Sequence, residues 1–265
     1  MSALTTGLAG RVALVTGSTS GIGLSIARRL ARGGCRIVLH GFGETAQIAD
    51  LEQELMHSGA PNAQHVMADL VQPAEIERMM TKVIELHGRL DILVNNAGIQ
   101  HVAPLEAFPV ERWDAILAVN LSAAFHTTRL ALPLMRQHHW GRIVNIASVS
   151  GLVAAPMKSA YAAAKHGLLG LTKVTALETA TSAITCNAVC PGWVLTPLVE
   201  RQLQARMAAD GVDREEATRR LLVKQPSKAF VTLEQVAALV AYFVSDEAAQ
   251  TRGAAWNVDG AYTAA

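Results

Sequence analysis

Cysteine, aromatic residues and net charge are all scarce in this 265-residue sequence. The three cysteines, Cys35, Cys186 and Cys190, form no C-x-x-C pair, and an odd, unpaired set excludes a disulfide framework. Cys186 and Cys190 lie too far apart to bridge if one strand carries both. This usage fits a reducing cytoplasm, and no metal site is expected. Lys and Arg number 23 against 22 Asp and Glu, so bulk attraction to nucleic acid or an anionic membrane is excluded. The opening MSALTTGLAGR lacks a basic region followed by an apolar run, so no secretory signal is expected. The longest uncharged stretch, 179–199, contains Asn187, Pro191 and Pro197 and makes a poor membrane span. No repeat, low-complexity tract or linker divides the chain, which predicts one domain over 1–265.

What the sequence does have is 51% hydrophobic residues, gathered into short β-branched runs. These are RVALVT (11–16), RIVLH (36–40), QHVMA (64–68), DILVN (91–95), RIVNIA (142–147), ITCNAVC (184–190) and AAWNV (254–258). Helix-like segments separate them. Strands apolar along their whole length, alternating with helices, predict an α/β fold: a doubly wound parallel sheet of about seven strands, covered on both faces. Some 40 residues, 191–230, follow the sixth run before the next helical pattern at TLEQVAALVAYFV. That length reads either as a helical lid over the site, approximately 193–228, or as a surface helical hairpin.

After the first strand comes TGSTSGIG, Thr16 to Gly23, opening a helix. Glycines there permit a tight turn and close approach to a pyrophosphate, whose charge a helix N-terminus stabilises. Near the end of the second strand stand His40, Gly41, Phe42 and Gly43, with no Arg or Lys there or within Gly17 to Gly23. A 2'-phosphate would lack a counter-charge, which predicts NAD rather than NADP. Ala68, Asp69 and Leu70, and the run Asn95 to Gly98, close two further strands where a dinucleotide would run; each also reads as a cap or turn.

Tyr161 and Lys165 stand four apart in YAAAK, which places both on one helical face. A neighbouring ammonium favours the phenolate, so Tyr161 is a candidate general acid and base. Ser148, past the fifth strand, can hold the oxygen of a carbinol or carbonyl, or simply turn the chain. Asn120, polar within an apolar helix, must make a specific hydrogen bond.

Together, TGSTSGIG, NNAG, Asn120, Ser148, YAAAK and PGWVLTP occur in the order found in the short-chain dehydrogenase/reductase family, and the resemblance covers nearly the whole chain. It implies a Rossmann-type fold, a nicotinamide cofactor and a tetrad of Asn120, Ser148, Tyr161 and Lys165. By the same resemblance Tyr161 exchanges the proton and Ser148 orients the substrate. Lys165 lowers the Tyr161 pKa and bonds the nicotinamide ribose, and Asn120 holds a water in a proton relay. The cofactor is then expected along Gly17, Thr19, Ser20, Gly21, Ile22 and Gly23, then Phe42, then Ala68, Asp69 and Leu70. Asn96, Ala97, Gly98, Tyr161, Lys165, Pro191, Gly192, Val194 and Thr196 complete the set, and a homotetramer is expected.

LHGFGE, NNAGIQHVAP, MKSAYAAAKHG, CPGWVLTPLVERQ and KQPSKAFVT are similar to segments of those members that oxidise (R)-3-hydroxybutyrate to acetoacetate with NAD. In their pattern a glutamine, a histidine, a lysine and a second glutamine grip the carboxylate of a small 3-hydroxy acid. Here those positions hold Gln100, Ser150, Lys158 and Gln202, so Ser150 is the one departure. Trp193 is placed to wall the pocket or to pack the lid. The rival readings are a 3-oxoacyl thioester reductase of the same family and a non-catalytic NAD-binding regulator.

Overall fold

All seven apolar runs form strands of one parallel sheet in the computed structural model, which describes residues 7–264. They are β1 Val12–Val15, β2 Arg36–Leu39, β3 Ala63–His65, β4 Ile92–Asn95, β5 Gly141–Ile146, β6 Ile184–Pro191 and β7 Ala255–Val258. The reading of the N-terminal segment falls mainly on residues 1–6, which lie outside the described ones, as does residue 265.

The order across the sheet is β3-β2-β1-β4-β5-β6-β7. Helices α1 (Gly21–Arg32), α2 (Thr45–His57) and α3 (Pro73–His87) make the crossovers as far as β4. From β4 the chain builds in the opposite direction, through α4 (Val110–Leu117), α5 (Ala123–Gln137) and α6 (Ser159–Glu178). The reversal between β1 and β4 opens a crevice at the carboxyl ends of those strands, where doubly wound sheets bind ligands. The sixth crossover is the long one: α7 (Pro197–Asp210) and α8 (Arg214–Leu221) precede α9 (Leu233–Val244).

Burial explains the unbroken apolar runs. Every residue of β1, β4, β5 and β6 is buried, whereas Trp256 and Asn257 on edge strand β7 are exposed. Successive side chains feed opposite layers. Ala13 and Val15 pack with Ile26 and Leu30 of α1 and Val240 and Phe243 of α9. Val12 and Leu14 pack with Ile76, Met79 and Val83 of α3 and Met135 of α5. The three cysteines are free and buried in these layers, Cys186 and Cys190 both on β6 as expected.

By length and composition the helical run Val110–Gln137 is apolar enough to cross a membrane. Here it is the β4 to β5 crossover, with Ala123, Thr127, Ala131 and Met135 buried. It is not one continuous α-helix. Ala118–Ser122 forms a π-turn between α4 and α5, closed by the Ala123 amide donating to the Ala118 carbonyl.

At the amino ends of β1 and β4, opposite the crevice, the fully buried Asp91 carboxylate accepts from the Val12 amide at 2.9 Å, Arg11 at 3.1 Å and Arg89 at 2.6 Å. Replacing it strands an amide and two cations. Asp91→Ala is expected to lower unfolding free energy by about 3 kcal/mol in a denaturant titration, and an unchanged midpoint would contradict that role.

Candidate active site

The glycine turn between β1 and α1 is stitched to the turn after β4. Thr16 donates its hydroxyl to the Val94 carbonyl at 3.3 Å and accepts from the amides of Asn96 at 2.9 Å and Ala97 at 3.1 Å. In return the Asn96 side-chain amide donates to the carbonyls of Thr16 and Gly17 at 2.9 and 3.0 Å. The approach is so close that a Cβ on Gly23 would collide with the Gly17 carbonyl and sit 2.5 Å from Asn96 Nδ2, and Gly17 itself has φ +63°. Only glycine meets both demands.

This cradle suits a dinucleotide. Helix α1 starts at Gly21 with no side-chain cap from Ser20 and no acid in its first turn, which leaves its amides and dipole for an anion. Ile22 packs its side chain inward on the core. The Thr19 hydroxyl donates to the Phe42 carbonyl at 3.1 Å, and the Phe42 ring stands 70% exposed at the rim. The Asp69 carboxylate caps its own turn by accepting from the Val71 amide at 3.0 Å, beside buried Ala68 and Leu70. On the far side, Pro191 ends β6 and the Gly192 amide donates to the Val258 carbonyl at 2.9 Å. Val194, buried, bridges to Val231. The Thr196 hydroxyl caps α7, and its methyl would lie 3.6 Å from a Cβ on Gly21. The base of the α7 segment therefore touches the glycine turn.

The chemistry-bearing side chains converge at the ends of β5 and α6. Ser148 follows β5; its Oγ accepts from the Ser150 amide at 3.1 Å, and its hydroxyl lies close enough to the Tyr161 phenol to lower that group's pKa. Tyr161 sits in the first turn of α6, and Lys165 one turn later is buried, its Nζ donating to the Ile146 carbonyl at 2.8 Å and lying 5.6 Å from the phenol ring centre. Lys165 therefore lies over the phenol ring while its ammonium bonds the strand end. Burial pushes the phenol above its ordinary value, and the neighbouring Ser148 hydroxyl pulls the other way. Burial also pushes Lys165 down to about 8.

Asn120 lies in the π-turn and spends its side chain on Ile99, accepting from its amide at 2.9 Å and donating to its carbonyl at 3.0 Å. That fixes the loop after Gly98, as a structural hydrogen bond would. A cavity of about 10 Å³ beside it, bounded also by Thr16, Asn95, Ala97 and Lys165, is the size of one water.

Three of the four expected carboxylate ligands and the expected pocket wall, Trp193, are linked in two pairs. Gln202 of α7 donates to Gln100 Oε1 at 2.7 Å, while the Gln100 amide nitrogen is buried with no partner. Lys158 holds its ammonium 4.4 Å from the Trp193 ring centre and, among the described residues, has no carboxylate partner. Burial lowers its pKa, and the positive charge of Arg206 lowers it further. Lys158 follows Met157, held at φ +65°, whose carbonyl accepts from the Ala103 amide at 3.1 Å. Ser150 is buried and contributes its backbone amide to Ser148.

Several groups escaped sequence reasoning. Arg206 stands four residues after Gln202 on α7, a spacing that was legible. The ladder Thr127–Asn95–Asn145–Thr172 bonds α5, β4, β5 and α6 beneath the site at 2.7 to 2.9 Å. Its signal was polar residues inside apolar runs. His40, buried at the end of β2, was read only as a missing base.

The sheet order, the glycine cradle and the Ser148–Tyr161–Lys165 cluster define an oxidoreductase fold, and the chain belongs to the family described as short chain dehydrogenase, which matches residues 11–207. Among individual relatives, it is 56% identical to the D-beta-hydroxybutyrate dehydrogenase of Cupriavidus necator, over 97% of this chain and 99% of that protein. It is 51% identical to the enzyme of the same name from Rhizobium meliloti, over 96% and 99%. A crystal structure of actinorhodin polyketide ketoreductase with NADPH superposes with a TM-score of 0.89 at 38% identity, covering 96% of this chain and 97% of that one.

Thr16→Val keeps the shape and removes the hydroxyl that receives two amides. It is expected to cost about 2–3 kcal/mol of stability in a denaturant titration, and a loss below about 0.5 kcal/mol would contradict the stitching role.

Proposed function

We propose that this protein oxidises (R)-3-hydroxybutyrate to acetoacetate with NAD, and runs the reverse, with Tyr161 as general acid and base. The observation that carries this reading is Lys158, a largely buried cation held against the Trp193 ring with no carboxylate partner among the described residues, together with Gln202 of α7 bonded to Gln100, whose amide nitrogen is buried without a partner. A free carboxylate answers Lys158 and supplies the acceptor that the buried Gln100 amide lacks. A thioester has no carboxylate to offer, which disfavours a 3-oxoacyl thioester reductase. The relatives named D-beta-hydroxybutyrate dehydrogenase support the same substrate.

The residues present fit a nicotinamide dinucleotide. The amides opening α1, with Thr19, Ser20 and Ile22, would hold its pyrophosphate, Phe42 and the Ala68 to Leu70 turn its adenosine end, and Asn96 to Gly98 the stretch between. Tyr161, Lys165 and the Pro191 to Thr196 strand end would hold the nicotinamide half. No Lys or Arg stands between Gly17 and Gly23 or from His40 to Glu44, which favours NAD over NADP. When bound, the nicotinamide accepts the hydride from C3 of the acid. The rest falls to the chain. Lys158, with Gln100 and Gln202, fixes the carboxylate and Trp193 walls the short carbon chain, so the hydroxyl-bearing carbon has one orientation. Ser148 hydrogen-bonds the substrate oxygen. The Tyr161 phenolate takes the hydroxyl proton as the C–H bond breaks, and the oxygen becomes a ketone. One water in the cavity between Asn120 and Lys165 carries that proton onward. The α7–α8 segment acts as the lid, bringing Gln202 to Gln100 as it closes. Exposed Phe125 on α5 and Val174 and Leu177 on α6 support assembly through those helices into the expected tetramer.

Assaying both enantiomers with both cofactors tests the reading. Turnover of the R acid with NAD, and little with the S acid or NADP, is expected; faster turnover of a 3-oxoacyl thioester would overturn it. Lys158→Ala should raise KM for the acid at least about tenfold with kcat little changed, because it removes binding shared by ground and transition states; an unchanged KM would return Lys158 to a surface role. Oxidation needs the phenolate, and the Tyr161 phenol is raised, so oxidative kcat/KM should climb as pH rises from about 6 to about 8 while the reduction does not. Oxidation that falls over that range would contradict Tyr161 as the base.

A further inference from the structure

His40 is 3% exposed and lies between two of the turns that face the crevice. Its Nδ1 stands 3.1 Å from the Gly17 amide and its Nε2 stands 3.1 Å from the Ala68 carbonyl. The tautomer follows from the partners. A backbone amide can only donate, so Nδ1 is the bare acceptor, and a carbonyl can only accept, so Nε2 carries the proton. The His40 main chain adds two bonds to the same turn: its amide donates to Ser18 Oγ at 3.0 Å, and its carbonyl accepts from the Ser18 amide at 2.7 Å. One residue therefore ties the glycine turn to the Ala68 to Leu70 turn.

We propose that His40 is a positioning residue for the cofactor site, holding these two turns in register as the neutral Nε2–H imidazole and releasing the glycine turn when it is protonated. The proposal rests on the reading that the two turns hold a nicotinamide dinucleotide. Protonation puts a hydrogen on Nδ1 facing the Gly17 amide, so two donors meet where one bond stood. Gly17 is held at φ +63° and supports Asn96 through its carbonyl, so a shift there passes to both sides of the crevice.

The surroundings favour the neutral form. Burial is the largest influence lowering the His40 pKa, and His65 on β3, whose Nε2 is 2.7 Å from the Gly41 carbonyl, lowers it further; the Ala68 bond opposes both. The glycine turn from Thr16 to Gly23 and the run from Asn95 to Gly98 contain no titratable side chain. Asp69 spends its carboxylate on the Val71 amide, Glu52 of α2 accepts from the His65 amide, and Glu44 precedes α2. Because the folded-state pKa lies below the ordinary value, the latch is intact above the usual histidine range and is lost as pH falls through and below it.

NADH affinity of the full chain, measured by fluorescence from about pH 8 to about pH 5, should weaken about tenfold on acidification for the native protein. His40→Leu should show that weaker binding throughout, with the pH dependence gone. His40→Asn keeps an acceptor oxygen for the Gly17 amide and cannot titrate, so it should bind within about threefold of the native protein and stay flat with pH. In the cofactor-free protein, the nitrogen NMR titration of His40 should coincide with faster hydrogen exchange at the Gly17 amide. Native affinity that is flat with pH, His40→Leu binding as the native protein does, or a Gly17 amide that ignores the His40 titration would each overturn the proposal. Failure to bind NADH at any pH would refute the function proposed above, and the Gly17 exchange would still decide the latch.

Discussion

The crevice of this molecule depends on one hydroxyl. Thr16 follows β1 at the place where the sheet reverses its building direction, and its oxygen receives the first two amides of the turn after β4. Side by side in the sheet, β1 and β4 would otherwise send their turns apart, since their crossovers leave on opposite faces. The Thr16 bonds and the reciprocal Asn96 amide draw the two turns together at the floor, and the glycines at 17 and 23 let them approach without a side chain between. A dinucleotide cradle results from that approach.

Low polarity around the chemistry does the second part. Lys165 is buried and spends its ammonium on the carbonyl that ends β5, the strand that delivers Ser148. This lysine therefore fixes the spacing between strand end and helix face, on which the approach of Ser148 to Tyr161 depends. Buried amides and hydroxyls beneath are paired across four elements, so the site rests on a rigid polar ladder rather than on an apolar layer that could repack. At the mouth the pairing stops. Among the described residues Lys158 has no carboxylate partner and the Gln100 amide nitrogen no hydrogen bond, and that contrast between floor and mouth supports the proposed carboxylate site.

Much of this was legible in the residues. Each apolar run proved to be a strand because both faces of a parallel sheet are covered, although β3 ended at His65, earlier than its run suggested, where the chain turns out to the crevice rim. Gln202 bonds Gln100 and Lys158 lies against Trp193, and Asn120 made the specific hydrogen bond its apolar setting demanded. What stayed hidden depends on geometry that spacing cannot carry. The bond of the Lys165 ammonium to the Ile146 carbonyl follows from how α6 lies on β5. The π-turn at Asn120 has no signature in composition. His40 looked like an absent counter-charge because a sequence shows what a position lacks, while its bonds to Gly17 and Ala68 appear only once two turns distant in the chain are placed beside it.

The claim that this site removes a hydride from a short 3-hydroxy acid is tested most directly by isotopic transfer. With (R)-3-hydroxybutyrate carrying deuterium at C3, single-turnover oxidation should place the label in the reduced nicotinamide and none in water, with a primary isotope effect on the chemical step. Label released to solvent, or no transfer from this acid at all, would contradict the account.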